Sequence, residues 1–216
     1  LTATGITGDA GSISVNADHG FILAQTVTSG GATTLGSLSA NGSATLIAAL
    51  TNTGHNLTAR GNALLRGTVV NWDNLNVGGT LGITATTGGI TLGTAVSGGT
   101  QNLHAVSDIV FTQLTTTGIP GDAGDINLTS TAGSLRGGSI SANGDTHFDT
   151  AGSISLDRLR GSTIKLSSRG DLTIGFVSVV KELDLAADTI NVKGEQIRSN
   201  PPIPLIMNVT GYNGGT

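Results

Sequence analysis

Gly152-Ser153-Ile154-Ser155-Leu156 is followed along the chain by Gly170-Asp171-Leu172-Thr173-Ile174 and then by Thr189-Ile190-Asn191-Val192. Each segment alternates apolar with polar residues, so each reads as a short strand with one face inward and one in water. The pairs Ile154/Leu156, Leu172/Ile174 and Ile190/Val192 recur at 18 residues and again at 18. Ile164/Leu166 and Leu183/Leu185 are 19 apart, Leu57 and Leu75 are 18 apart, and Ile90/Leu92 and Ile109/Phe111 are 19 apart. Working outward, the same alternation appears at Ser12-Ile13-Ser14-Val15, Gly82-Ile83-Thr84 and Asp125-Ile126-Asn127-Leu128. Gly or Asn-Gly marks the gaps, as at Asn41-Gly42, Gly78-Gly79, Gly98-Gly99 and Asn143-Gly144. No segment carries a convincing helical stripe. The best candidate, Val179 to Asp188, reads equally as strand-turn-strand.

A period near 20 with several short strands and no helix is the signature of a solenoid. A leucine-rich repeat has a similar period, but its L-x-x-L-x-L-x-x-N pattern is missing. The sequence therefore predicts an all-β fold, a right-handed parallel β-helix with coils of about 18–22 residues. Each coil holds three strands of three to five residues joined by tight turns, and equivalent strands stack coil on coil at about 4.8 Å. The inward ladders run from Ile13 and Val15 through Leu57, Leu75, Ile83, Ile126 and Leu128 to Ile190 and Val192. A longer echo returns Gly5-Ile6-Thr7-Gly8-Asp9-Ala10-Gly11 as Gly118-Ile119-Pro120-Gly121-Asp122-Ala123-Gly124, 113 residues on. The pattern fails at Ser199-Asn200-Pro201-Pro202, since Pro cannot donate to a ladder. Residues 1–198 are read as the solenoid, and 199–216 as a Pro/Gly-rich cap or a linker to a further module.

Composition fits that geometry. Gly supplies 34 of 216 residues, while Asp, Glu, Lys and Arg together make 11%, well under the ~25% of an average domain. A like charge repeated in every coil would repel itself at about 5 Å, so Thr, Ser and Asn must furnish the polar surface. Low net charge together with moderate hydrophobicity excludes a disordered chain. The net charge of −4 argues against nucleic acid, whose phosphates require clustered cations. No apolar run approaches the ~18 residues of a spanning helix, so no membrane insertion of this segment is expected. The chain opens in mid-pattern without Met or a leader, and reads as an interior piece. Cys is absent, which leaves the compartment open.

The span from about residue 8 to 193 resembles the shaft of filamentous-haemagglutinin-type exoproteins, which leave the cell by two-partner secretion. The run of G-x-I-x-L and G-x-L-x-I coils and the Thr/Ser/Asn/Gly-rich turns carry the resemblance. It implies a structural or adhesive segment of a secreted bacterial surface protein, a rigid spacer with carbohydrate or a host or matrix protein as possible partners. It also implies an outer-membrane transporter as partner of the full-length protein, and places such proteins in adhesion, biofilm and virulence. Some relatives are instead shafts of contact-dependent toxin or haemolysin carriers. The N-P-N-x motifs of the family's secretion domain are missing, so this segment is not the part the transporter recognises.

Few residues suggest chemistry. Arg169-Gly170-Asp171 is the tripeptide of integrin ligands, but a working copy needs a flexible loop, and here Asp171 opens a strand. Trp72, the only Trp, is either a sugar-stacking platform or a turn residue packed over a coil edge. Gly121-Asp122-Ala123-Gly124-Asp125 loosely matches calcium β-roll repeats, which need tandem copies, so it reads as a turn. His19, His55, His104 and His147 lack metal-ligand spacing. Asp145 and Asp149, or Asp149 and Asp171, could stack one coil apart as in carbohydrate-active lyases and hydrolases. Those sites also need long loops, and the turns here read as short throughout. A non-enzyme without metal or cofactor is expected, with a carbohydrate-active β-helix as the alternative.

Overall fold

The computed structural model describes residues 26–192 together with the backbone of the strands Thr2–Ala3, Ile13–Val15, Ile22–Leu23 and Ile206–Gly211. Every strand pairing is parallel, and each strand bonds to its equivalent one coil away. No helix occurs among the described residues, and Val179 to Asp188 lies largely within the strand Asp171–Ala187. The chain is thus a parallel β-solenoid of about nine stacked coils, roughly 40 Å along the axis at strand spacing.

Three faces, here A, B and C, make each coil. Rungs of face A begin at Thr33, Asn52, Val70, Ile90, Ile109, Leu135, Ile154, Leu172 and Ile190. The strand continues into face B after one unpaired corner residue, as at His55, Asp73 and Gly93. Face B holds 37–40, 56–59, 74–77, 94–97, 113–116, 139–141, 158–161 and 176–179. Face C follows a second corner, with rungs such as Leu81–Ala85, Gln101–Ala105 and Ile126–Ser130. The strand Ile206–Gly211 adds a rung to face C against residues 182–187. The predicted boundary at 198 lies outside the described residues.

Along face A from Thr33 to Ile190, rungs recur every 18 to 20 residues except from Ile109 to Leu135, a step of 26. The expectation of short turns throughout fails there. The extra residues form a loop from Thr117 to Asp125 between faces B and C. Its tip is a two-residue hairpin, with Ile119 and Asp122 exchanging both backbone hydrogen bonds at 2.9 Å. Pro120 and Gly121 fill the two central positions, and Gly121 has φ +87°, the pattern of a type II turn. Open space surrounds Gly121; the backbone angle, not crowding, demands glycine.

The core is a set of inward columns. Ile154, Leu172 and their partners on face A are buried, as are Leu57 and Leu75 on face B and Ile83, Leu128 and Leu166 on face C. Ile190 and Val192 are half-buried against its end. The predicted positions Ile13 and Val15 fall outside the described side chains. One column on face A alternates in size: Leu35, Gly54, Trp72, Leu92, Phe111, Gly137, Leu156, Ile174. A methyl group on Gly54 would overlap the Trp72 ring, and one on Gly137 would overlap Phe111. The two largest rings in that column occupy space that a neighbouring coil leaves empty. Asn52, fully buried, completes the fit: its Oδ1 accepts Trp72 Nε1–H at 3.2 Å, and its Nδ2 donates to the carbonyls of Leu46 and Arg66.

Truncating a column residue removes burial and leaves a cavity, so Leu172→Ala lowers stability by about 2–5 kcal/mol. Ser155→Ala, one residue outward of the same sheet, changes it by under about 0.5 kcal/mol. Urea midpoints that move equally would show the inward register to be wrong. Gly54→Ala costs about 1–3 kcal/mol by overpacking, and most of that cost disappears in the Trp72→Leu background. A double-mutant cycle with no coupling would disprove the ring-over-glycine fit.

Candidate functional site

The corners hold most of the carboxylates. Asp73 and Asp157 stand between faces A and B, Asp122, Asp125 and Asp145 between B and C, and Asp108, Asp171 and Asp188 between C and A. There the chain leaves the ladder, and backbone N–H groups need acceptors. Asp145 N–H donates to Asp125 Oδ1 at 2.8 Å and Thr163 N–H to Asp145 Oδ1 at 2.9 Å. Ser134 N–H donates to Asp108 Oδ1 at 2.7 Å, and Ser153 and Asp171 N–H to the hydroxyls of Ser134 and Ser153. These columns of short polar side chains fasten each coil to the next.

The inserted loop uses the same device. Asp122 accepts Thr100 N–H at 2.8 Å, Thr100 Oγ1–H at 2.7 Å and Gly124 N–H at 2.9 Å. The backbone bond from Thr100 acts most strongly, followed by Gly124 N–H and the Thr100 hydroxyl, and together they hold the carboxyl below the ordinary aspartate range. Buried Thr116 anchors the other side through its hydroxyl to the Gly124 carbonyl. The Gly-Asp-Ala-Gly-Asp segment is therefore a pinned turn, and no group of three metal-binding side chains occurs among the described residues.

Arg169-Gly170-Asp171 forms the corner between faces C and A. Arg169 N–H donates to the Thr150 carbonyl at 3.2 Å and Gly170 N–H to the Gly152 carbonyl at 3.3 Å, while the Gly170 carbonyl accepts from Asp188 N–H at 3.2 Å. Ser168 Oγ also donates to the Gly170 carbonyl at 3.1 Å. Coils on both sides thus clamp the tripeptide. Trp72 occupies neither predicted place. It is mid-strand and inward, 2% exposed, because Gly54 on the next coil opens a slot for its ring. It offers no platform to a sugar.

The stacked-carboxylate expectation is also corrected. Asp145 and Asp149 belong to one coil, and the residue stacked under Asp145 is Asp125. Asp149 pairs in the sheet with Thr129 and Ser167. With Arg169 and Asp188 it borders a depression of about 470 Å³. Lys165 and Asp184 are direct neighbours on face C, yet the only close acid–base contact among the described residues is His55 Nδ1 to Asp73 Oδ2, 2.5 Å, on the exposed A/B corner. Their 18-residue separation was the available signal for that pairing, which looking for metal-ligand spacing within one strand misses.

Protonating Asp122 breaks its acceptor set. Because its pKa is lowered in the folded loop, the contribution is complete above the ordinary aspartate range and disappears as pH falls through the lowered value. The amide resonances of Thr100 and Gly124 should titrate together below that range, and Asp122→Asn should abolish the step. Independent titration of the two amides would remove Asp122 as their shared acceptor. The clamped tripeptide should fail to support integrin-dependent cell attachment. Attachment abolished by Asp171→Glu, with circular dichroism unchanged, would show that the corner opens.

No family model, curated protein or solved structure matches this chain.

Proposed function

We propose that this chain is a length of rigid shaft in an exported filamentous surface protein of the haemagglutinin type, and that it spaces other modules apart rather than catalysing a reaction. The observation that carries the reading is the parallel pairing of all three faces, coil on coil, over about nine coils. Each coil adds about 4.8 Å of length and contacts only its neighbours. Such an array converts residues into distance. The insertion at 117–125 is tied down on the coil stack by Asp122 and Thr116. The parent protein would reach the cell surface through an outer-membrane transporter, and its adhesive or toxic activity would reside at its ends.

Antibody against the chain should label unpermeabilised source cells, and detection only after permeabilisation would overturn the surface reading. The isolated chain should release no reducing ends or unsaturated products from bacterial, plant or host polysaccharides, with or without calcium. Turnover lost on Asp149→Asn would replace the shaft reading by a carbohydrate-active β-helix.

A further inference from the structure

Face B presents two outward columns of eight residues each. One is Ser37, Asn56, Asn74, Thr94, Gln113, Ser139, Arg158 and Phe176; the other is Ser39, Thr58, Asn76, Val96, Thr115, Ser141, Arg160 and Ser178. Neither contains a carboxylate. Among the described residues the only charges on the face are Arg158 and Arg160, side by side on one strand, about 7 Å apart at their roots. Both are exposed. Asp157 stands at the corner before Arg158, but among the described residues no carboxylate oxygen comes within 4.0 Å of either guanidinium. Neither side chain donates a hydrogen bond within the described protein.

These two forks border two adjoining depressions of about 460 and 550 Å³, which share Ser141, Arg160 and Val180. Phe176 and Val180, half-buried, form an apolar strip along one side, while Ser139, Ser141 and Thr115 supply hydroxyls on the other. Thr117 and Asn143, where the chain enters and passes the pinned loop, close the far end.

From this juxtaposition we propose that face B between Thr115 and Val180 binds a uronate-bearing polysaccharide. Guanidinium forks match planar carboxylates bidentately. The hydroxyls and amides around them donate and accept, as sugar hydroxyls require. Phe176 offers its ring to the C–H face of a sugar. Two cations about 7 Å apart on an otherwise neutral face suit a polymer that carries a single planar carboxylate on successive sugars. A densely sulfated chain or a nucleic acid would need a wider basic field to replace its counterions. The proposal goes beyond the shaft reading, which a shaft without any ligand also satisfies.

The test titrates the chain with polygalacturonate, its carboxyl-reduced neutral form, dextran sulfate and double-stranded DNA. Polygalacturonate should bind in a salt-sensitive manner, and the reduced polymer should not. Arg158→Gln/Arg160→Gln should weaken binding about tenfold or more with an unchanged melting curve, since both side chains point into water. Arg158→Lys/Arg160→Lys should restore only part of it, because a point charge lacks the fork. Phe176→Ser should weaken binding while leaving its salt dependence intact. Preference for dextran sulfate or DNA over polygalacturonate would overturn the assignment, as would unchanged binding by the double Gln variant or no binding to polygalacturonate at all.

Discussion

Each coil is hydrogen-bonded through its backbone to the coils before and after it, so every side chain sits about 4.8 Å above its counterpart. That spacing governs what each position accepts. A like charge directly above another is destabilising, so repeated Lys or Glu columns are absent. Asn and Thr tolerate stacking because each amide or hydroxyl can donate to the next, as Asn74 does to Asn56 and Asn127 to Asn102. The low charge of the sequence and the hydroxyl-rich faces are two views of this one constraint.

Inside, stacking forces neighbours in a column to share volume. Two rings of the size of Trp72 and Phe111 fit only because Gly54 and Gly137 stand beside them. Buried polar groups follow a stricter rule, since each needs a partner away from water. Asn52 meets it with all its groups engaged. Gln101 spends its amide hydrogens on the carbonyls of Ala95 and Thr115 but leaves Oε1 without a partner, as Thr33 and Thr146 leave their hydroxyls.

At the corners the ladder opens and acceptors are wanted, which is where Asp accumulates. Moving the carboxylates to the edges leaves the described rungs of face B free of negative charge. The unneutralised pair Arg158 and Arg160 on face B therefore follows from the same sorting that builds the corners. The long loop fits this scheme too: Asp122 supplies from above the acceptor that Asn62 supplies from below for Thr80.

The 18- and 19-residue recurrence of Ile154, Leu172 and Ile190 determined the solenoid, its parallel stacking and nearly all inward positions, because alternation and coil length are properties of consecutive residues. The clamped corner at Asp171 was legible for the same reason. Three features needed the tertiary structure. Trp72 is inward only because Gly54 lies one coil away, and nothing adjacent in sequence announces that slot. The loop at 117–125 is an insertion only because the rungs at Ile109 and Leu135 pair, and a drifting period hides its six extra residues among Gly-rich turns. The pairing of His55 with Asp73 and the joining of Arg158 and Arg160 to Phe176 depend on register across coils and on which way a corner aims its side chain. Those are decided by the stacking of distant segments.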